Sequence, residues 1–372
     1  MNTHPPCTVL VVDDSAVVRE SMSLLLTRSG HFRVISARDP IVAAERLRVV
    51  RPDVILLDLE MPRQDGLSFL RQVMASGDPL PVVVLSALTG AGTDAALTAL
   101  EEGAVDVITK PRLDVKGFLE DSVILISDAL RAAASVRAPR ARTPILPSAR
   151  LSAGAVLPAA RLLAVTTDKL VAVGASTGGT EALRRFLTAL PPSAPGIVVV
   201  QHMPERFTRA FAARLDAECA VTVREAAHLD SVIPGRVLVA PGNRQTRVRR
   251  SGANYIVEVV EGPLVSRHRP SVDVLFRSVA ESAGANAAGV IMTGMGDDGA
   301  AGLLEMHHAG ALSLAQDEAS CVVFGMPKEA IRRGAVDEVV ALDALAARVM
   351  AWAGRPVSPS PPGGTAPPSR PR

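Results

Sequence analysis

The sequence predicts an α/β protein made of two doubly wound, mostly parallel units in series. Three observations carry that expectation. Short apolar, β-branched runs alternate with helical patterns twice over, once within residues 1–130 and again from Leu170 onward. The runs are apolar throughout rather than alternating, as a sheet covered on both faces requires. Between the two series, residues 131–168 hold six arginines, four prolines, no aromatic residue and one acid, Asp168. Such a composition buries little and reads as a flexible linker.

In the first series, strands are expected at Val9–Val12, Phe32–Ile35, Val54–Leu57, Val82–Leu85 and Val105–Ile108. The amphipathic stretches Val17–Thr27, Ile41–Val50, Leu67–Met74 and Asp94–Leu100 lie between them. In the second series the expected strands are Leu170–Val173, Ile197–Gln201, Val221–Arg224, Arg236–Ala240, Tyr255–Val259, Gly289–Met292 and Leu312–Leu314. Its helices are expected at Thr180–Leu190, Phe207–Glu218, Val272–Gly284 and Leu342–Trp352. The tail from Gly354 is rich in Pro, Gly and Ser and is expected to be disordered. No repeat of solenoid period is visible.

A length of 372 residues suits two domains. Apolar residues make up 48% of the chain, but only 3% is aromatic, so Val, Leu and Ala must supply most of the burial. Forty basic and 38 acidic residues leave a net charge of +2, which gives no reason to expect a nucleic-acid partner. Cys7, Cys219 and Cys321 are scattered, so neither a disulfide framework nor a zinc site is expected, and a reducing cytoplasm fits. The apolar run Val9–Val12 stops at Asp13-Asp14, unlike a signal peptide. No uncharged stretch approaches the roughly 18 residues of a membrane span, so no membrane insertion is expected.

Ligands of an open parallel sheet gather at the carboxyl ends of its strands. In the first series those ends carry Asp13-Asp14, then Asp58 within Leu56-Leu57-Asp58-Leu59-Glu60-Met61-Pro62, then Ser86, then Thr109-Lys110-Pro111. Clustered carboxylates repel unless a cation neutralises them. Oxygen ligands with open positions suit Mg²⁺, and a lysine and a hydroxyl beside the metal would stabilise phosphoryl oxygens. The set predicts a phosphoryl acceptor: Asp58 attacks, Asp13, Asp14 and Asp58 hold Mg²⁺, and Lys110 and Ser86 grip the new phosphate. Any one of these residues alone would be a solvated turn residue; their coincidence at consecutive strand ends argues otherwise. This half resembles the response-regulator receiver domain along nearly its whole length. The resemblance implies a flavodoxin-like (βα)5 fold, phosphorylation at Asp58 and a histidine kinase as phosphodonor. Val107 stands where many receivers carry a switch aromatic.

The second series opens with Lys169-Leu170-Val171-Ala172-Val173-Gly174, followed by Ala175-Ser176-Thr177-Gly178-Gly179-Thr180. Small residues permit a tight strand-to-helix turn on which Ser176 would stand exposed. The helix behind it would offer free N–H groups to an oxyanion. Gly174-Ala-Ser176-Thr-Gly178 satisfies GxSxG, a weak signal by itself. A phosphate-binding loop is the rival reading, weakened because no Gly-Lys-Ser/Thr follows. A serine nucleophile needs a base and an orienting acid. Of seven histidines, His202 follows an apolar strand on the same sheet edge as Ser176. His4 and His31 belong to the other half, His307 and His308 are expected mid-helix, and spacing does not exclude His228 or His268. The acid is expected in Thr293-Gly294-Met295-Gly296-Asp297-Asp298-Gly299, where spacing does not choose between Asp297 and Asp298. The order Ser, His, acid differs from the Ser, acid, His order of α/β-hydrolases, so the GxSxG match does not imply that fold.

Residues 170–353 resemble the catalytic domain of the chemotaxis protein-glutamate methylesterases, the CheB family. The matching segments are Gly174–Thr180, Gln201-His202-Met203-Pro204, Val239-Ala240-Pro241-Gly242, Arg267-His268-Arg269-Pro270-Ser271-Val272-Asp273 and Thr293–Gly299. The resemblance implies a triad of Ser176, His202 and Asp298, with Asp297 where the family usually has Asn. It also implies that Thr177 and Met295 supply oxyanion-hole N–H groups, and that the esterase chemistry needs no cofactor. The expected organisation is a receiver over 1–130, a flexible linker over 131–168, a methylesterase domain over 169–353 and a disordered tail over 354–372. By the same resemblance, the substrates are methylated glutamates of methyl-accepting chemoreceptors, whose glutamines would also be deamidated. Phosphorylation is expected to loosen a receiver docked over the Ser176 cleft. The rivals are a serine hydrolase for another ester or amide, and a non-catalytic signalling module. A DNA-binding response regulator is disfavoured by the near-neutral charge.

Overall fold

A computed structural model describes residues 6–28, 30–61, 65–86, 90–110, 126–136 and 169–355. The first unit carries strands β1 (Cys7–Val12), β2 (Phe32–Ala37), β3 (Val54–Asp58), β4 (Val82–Ser86) and β5 (Asp106–Thr109). Helices α1 (Ala16–Arg28), α2 (Pro40–Val49), α3 (Gly66–Met74) and α4 (Gly90–Glu101) connect them, and α5 spans 126–134. The five strands are ordered β2-β1-β3-β4-β5 and every pair is parallel. Every residue of β3 and β4 is buried, which is why Val-Ile-Leu-Leu-Asp and Val-Val-Val-Leu-Ser show no polar alternation. Asp39 starts α2 by accepting the Val42 N–H at 2.8 Å, with Pro40 in the first turn. Chain order reverses between β1 and β3, and that switch point opens a crevice at their carboxyl ends.

The second unit is larger. Its strands are β6 (Leu170–Ala175), β7 (Gly196–Gln201), β8 (Thr222–Glu225), β9 (Ser231–Val232), β10 (Arg236–Val239), β11 (Gln245–Ser251), β12 (Asn254–Val260), β13 (Ala287–Ile291), β14 (Leu312–Gln316) and β15 (Glu338–Val340). Its helices are α6 (Gly179–Thr188), α7 (Phe207–Glu218), α8 (Val272–Ala283), α9 (Ala300–His308), α10 (Met326–Arg332) and α11 (Leu342–Ala353). Seven strands form a parallel sheet ordered β15-β14-β13-β6-β7-β10-β8. The chain leaves β6 toward β7 and returns to its other side as β13, so this sheet also has a switch point, at the carboxyl ends of β6, β7 and β13.

Several elements depart from the sequence expectation. The strand expected at Tyr255–Val259 is real, but as β12 it joins an antiparallel ribbon β11-β12-β9 outside the main sheet. Its partner β11 reads Gln-Thr-Arg-Val-Arg-Arg-Ser, too polar to announce a strand. It is held against α8, where the Val248 N–H donates to Ser278 Oγ at 2.8 Å. β9 and β15 are too short for a periodic signal. His307 and His308 occupy the last turn of α9 rather than its middle. α5 runs past Leu130, so the expected boundary between 130 and 131 falls within a helix. The rest of the expected linker, 137–168, and all of the expected tail but 354–355 lie outside the described residues.

The two units meet through α4, which packs on α6 and α7. Leu97 and Leu100 of α4 join Leu183, Phe211 and Leu215 in one continuous apolar cluster, which also includes Val107. Arg214 of α7 crosses the contact to Glu101 (2.6 Å), the Asp94 carbonyl (3.1 Å) and Thr98 Oγ1 (3.0 Å). Arg267 reaches Asp128 of α5 at 3.3 Å. No helix among the described residues is long and apolar enough to cross a membrane.

Candidate active site

Ser176 follows β6 at the switch point. Its N–H donates to the Thr293 carbonyl at 3.0 Å, and its carbonyl accepts from Gly179 N–H (2.7 Å) and Gln201 Nε2 (2.9 Å). The turn needs Gly178, whose φ of +75° starts α6 in the left-handed region. It needs Gly294 as well, because a Cβ there would lie 2.7 Å from the Ser176 Cβ. Ser176 is thereby held half-buried on a rigid turn at the sheet edge.

His202 follows β7, and Asp298 lies in the turn between β13 and α9. The structure brings them together, His202 Nε2 lying 2.7 Å from Asp298 Oδ2. The other ring nitrogen, Nδ1, is buried without a hydrogen-bond partner. Asp298 is 2% exposed and accepts three further hydrogen bonds from the start of α8. The donors are Ser271 Oγ (2.7 Å), Val272 N–H (2.8 Å) and Asp273 N–H (3.1 Å). Burial alone would raise its carboxyl. The His202 hydrogen bond and charge, with the Val272 N–H and the Ser271 hydroxyl, outweigh burial and hold it at about 2. Asp297 takes no part: its carboxylate is turned outward to Arg333 at 2.9 Å. Of the two acids that spacing left open, geometry pairs Asp298 with His202.

Thr177 and Met295, the expected oxyanion donors, flank Ser176 in the two switch-point turns. Neither N–H meets an acceptor among the described residues. Thr293 Oγ1 fixes the Thr177 carbonyl at 3.0 Å and also receives the Val322 and Val323 N–H groups.

Two neighbours of this site were not singled out from the sequence. His268 lies flat against His202, ring centroids 3.6 Å apart and planes within 9°. Asp106, the first residue of β5, comes from the other unit, its Oδ2 accepting the Thr177 hydroxyl at 2.8 Å. Loss of solvent pushes the Asp106 carboxyl up to about 6, against the opposing pull of Thr177, the Val107 N–H and the His202 charge. Spacing leaves His268 open as a base and gives Asp106 no role, because both contacts depend on how distant loops and units meet.

The crevice of the first unit holds Asp13, Asp14 and Asp58, with oxygens all within 4.8 Å of one another. Asp13 and Asp58 are fully buried. Lys110 Nζ lies 2.6 Å from Asp58 Oδ2 and 3.4 Å from Asp13 Oδ2. Asp13 Oδ2 is buried without a hydrogen-bond partner. Burial and then the Asp58 charge raise the Asp13 carboxyl, with Lys110 opposing. Burial pulls Lys110 down, but Asp58 and Asp13 hold it above its ordinary value. Oxygen donors with an unsatisfied buried oxygen fit a hard divalent cation such as Mg²⁺. Ser86 Oγ is buried and donates to the Gly92 carbonyl at 3.0 Å.

A family model described as CheB methylesterase matches residues 171–349, and one described as response regulator receiver domain matches residues 9–116. A relative from Geobacter metallireducens, protein-glutamate methylesterase/protein-glutamine glutaminase 3, is 58% identical over 93% of this chain and 99% of its own. One from Anaeromyxobacter dehalogenans bearing the same name with the number 5 is 60% identical over 91% of this chain and 95% of its own. This chain belongs to the CheB methylesterase family. As a CheB-family protein it joins a receiver to a methylesterase-type α/β domain, and the switch-point crevice of each unit holds one candidate site.

Proposed function

We propose that this chain is a phosphorylation-activated protein-glutamate methylesterase that hydrolyses glutamate methyl esters of chemoreceptors and deamidates receptor glutamines. The observation that carries the reading is the His202–Asp298 pair beside the Ser176 turn. With Nε2–H held by Asp298, Nδ1 keeps the lone pair and can take the Ser176 proton. Ser176 Oγ then bonds to the ester carbonyl carbon, and the oxyanion is met by the Thr177 and Met295 N–H groups. As the C–O bond to the methoxy group breaks, His202 returns the proton and methanol leaves, with the acyl group on Ser176. Water attacks that carbonyl, giving one proton to His202, which passes it to the departing Ser176 oxygen. Free glutamate remains. A glutamine amide follows the same course with ammonia as leaving group. No step calls on a cofactor in this domain.

Control would run through Asp58, the proposed phosphoryl acceptor, with Lys110 and Ser86 as contacts for the phosphate. Asp13, Asp14 and Asp58 would hold Mg²⁺, which when bound neutralises charge where the phosphoryl oxygens arrive. A histidine kinase of the chemotaxis type is the expected donor, and the cytoplasm the expected compartment. The receiver unit would extend through α5, with the linker beginning beyond it and the methylesterase domain over 169–353. Docking of the unphosphorylated receiver over the Ser176 cleft is supported by the Asp106–Thr177 hydrogen bond beside the proposed nucleophile.

The test is methanol release from methylated chemoreceptor membranes by wild type and Ser176→Ala. The reading expects release by the wild type and a fall of at least about 10³-fold in the variant. Equal release by both would overturn the assignment of Ser176. Wild-type silence alongside turnover of another ester would overturn the substrate.

A further inference from the structure

His268 is held in place by more contacts than an ordinary surface loop residue would have. It closes a two-residue turn in which the Val265 N–H donates to the His268 carbonyl (3.0 Å) and the His268 N–H to the Val265 carbonyl (2.8 Å). The central residues, Ser266 (φ +49°) and Arg267 (φ +68°), are both in the left-handed region without being glycine, a conformation that survives only where the surroundings impose it. Those surroundings are visible. Ser266 Oγ bonds Asp273 of α8 at 3.1 Å, and Gln245 Nε2 of β11 bonds the His268 carbonyl at 3.3 Å. Next along the chain, Arg269 is tied to Asn243 Oδ1 (3.1 Å) and the Gly262 carbonyl (2.7 Å). The outcome of this fastening is one contact, the parallel stack of the His268 ring on the His202 ring at 3.6 Å.

We propose that His268 is the positioning residue for the His202 base. The Asp298 hydrogen bond fixes one edge of the His202 ring but leaves rotation about that edge free. A flat ring at van der Waals distance removes that rotation, keeps water from one face and presents a π cloud to the imidazolium that forms when His202 takes a proton. The arrangement works only if His268 is itself neutral, since two cations at this distance would repel. Burial, then the charges of His202 and Arg267, push it down to about 3, with Asp298 opposing. The titratable and charged groups facing the stacked pair are Asp298 after β13, Arg267 in the turn itself and Asp106 from β5.

The inference rests on the Ser176–His202–Asp298 reading, so its test includes a measurement independent of the natural substrate. In the full-length protein with phosphodonor and Mg²⁺, the rate of Ser176 labelling by a fluorophosphonate is measured in wild type, His268→Ala and His268→Phe. Methanol release supplies kcat and KM. His268→Ala should slow labelling and kcat by about 10- to 100-fold and leave KM within about twofold. His268→Phe, which keeps a flat neutral ring, should restore both labelling and kcat. An Ala variant with wild-type labelling and kcat, or a folded Phe variant as slow as Ala, would overturn the proposal. Should the Ala variant fail to fold, the Phe variant decides alone, with wild-type kinetics supporting the stack and slow kinetics refuting it. A wild type that is labelled but releases no methanol would sink the substrate reading and leave this inference standing. A wild type that is not labelled at all would remove the basis of both.

Discussion

At the scale of single residues, two adjacent acids that spacing leaves equivalent have opposite surroundings. Asp298 is buried and takes four hydrogen-bonding partners, whereas Asp297 faces outward to Arg333. Asp298→Asn should therefore lower kcat by about 10⁴-fold by favouring the wrong His202 tautomer, and Asp297→Asn should leave it within about twofold. Steady-state methanol release distinguishes the two, and equal losses would show that the pairing is wrong. Ser176 and His202 were legible because each ends an apolar strand at the edge where a parallel sheet binds ligands. His268 was left undecided, since what matters about it is the ring it stacks on, a contact across 66 residues of chain between loops with no shared periodicity. Asp106 lies inside the strand expected at Val105–Ile108 and carries no further signal, because its partner Thr177 belongs to the other unit.

At the scale of elements, legibility followed burial. β3, β4, β6 and β7 are buried at every residue and were anticipated to within two residues of their ends. β11 was not, because its stability comes from pairing with β12 and from the Ser278 hydroxyl rather than from an apolar face. The contact of α4 with α6 and α7 was likewise invisible, as an amphipathic helix does not say whether its apolar side meets its own sheet or another domain. That contact is testable through Arg214. Its pair with Glu101 is partly exposed, side chains being 30% and 50% accessible, so it is worth no more than about 1 kcal/mol. Arg214→Ala should raise the activity of the unphosphorylated protein by up to about fivefold, and less at high salt. Unchanged basal activity at low salt would mean that this contact does not restrain the esterase.

For the whole molecule, β5 touches both switch-point crevices. Lys110, one residue beyond its end, contacts Asp58, while Asp106 at its start contacts Thr177. A phosphoryl group on Asp58 would draw Lys110 toward new oxygens, and β5 is the element through which that shift would reach the esterase site. Docking should also depend on pH. The docked Asp106 carboxyl sits near 6 against an ordinary 3.8, so the docked form binds the proton more tightly. Docking is thus strongest at low pH and weakens as pH rises through about 6. Asp106→Ala removes the hydrogen bond and should raise unphosphorylated activity about fivefold. Asp106→Asn, neutral at every pH, should abolish the pH dependence of the restraint; an Asn variant that keeps it would place the titrating group elsewhere. The most direct test of phosphorylation control is methanol release from methylated receptor membranes by the full chain, with and without phosphodonor and Mg²⁺, in wild type and Asp58→Ala. Phosphodonor should raise release by the wild type and leave Asp58→Ala at its basal rate. Release that ignores phosphodonor in the wild type, or rises equally in both proteins, would contradict it.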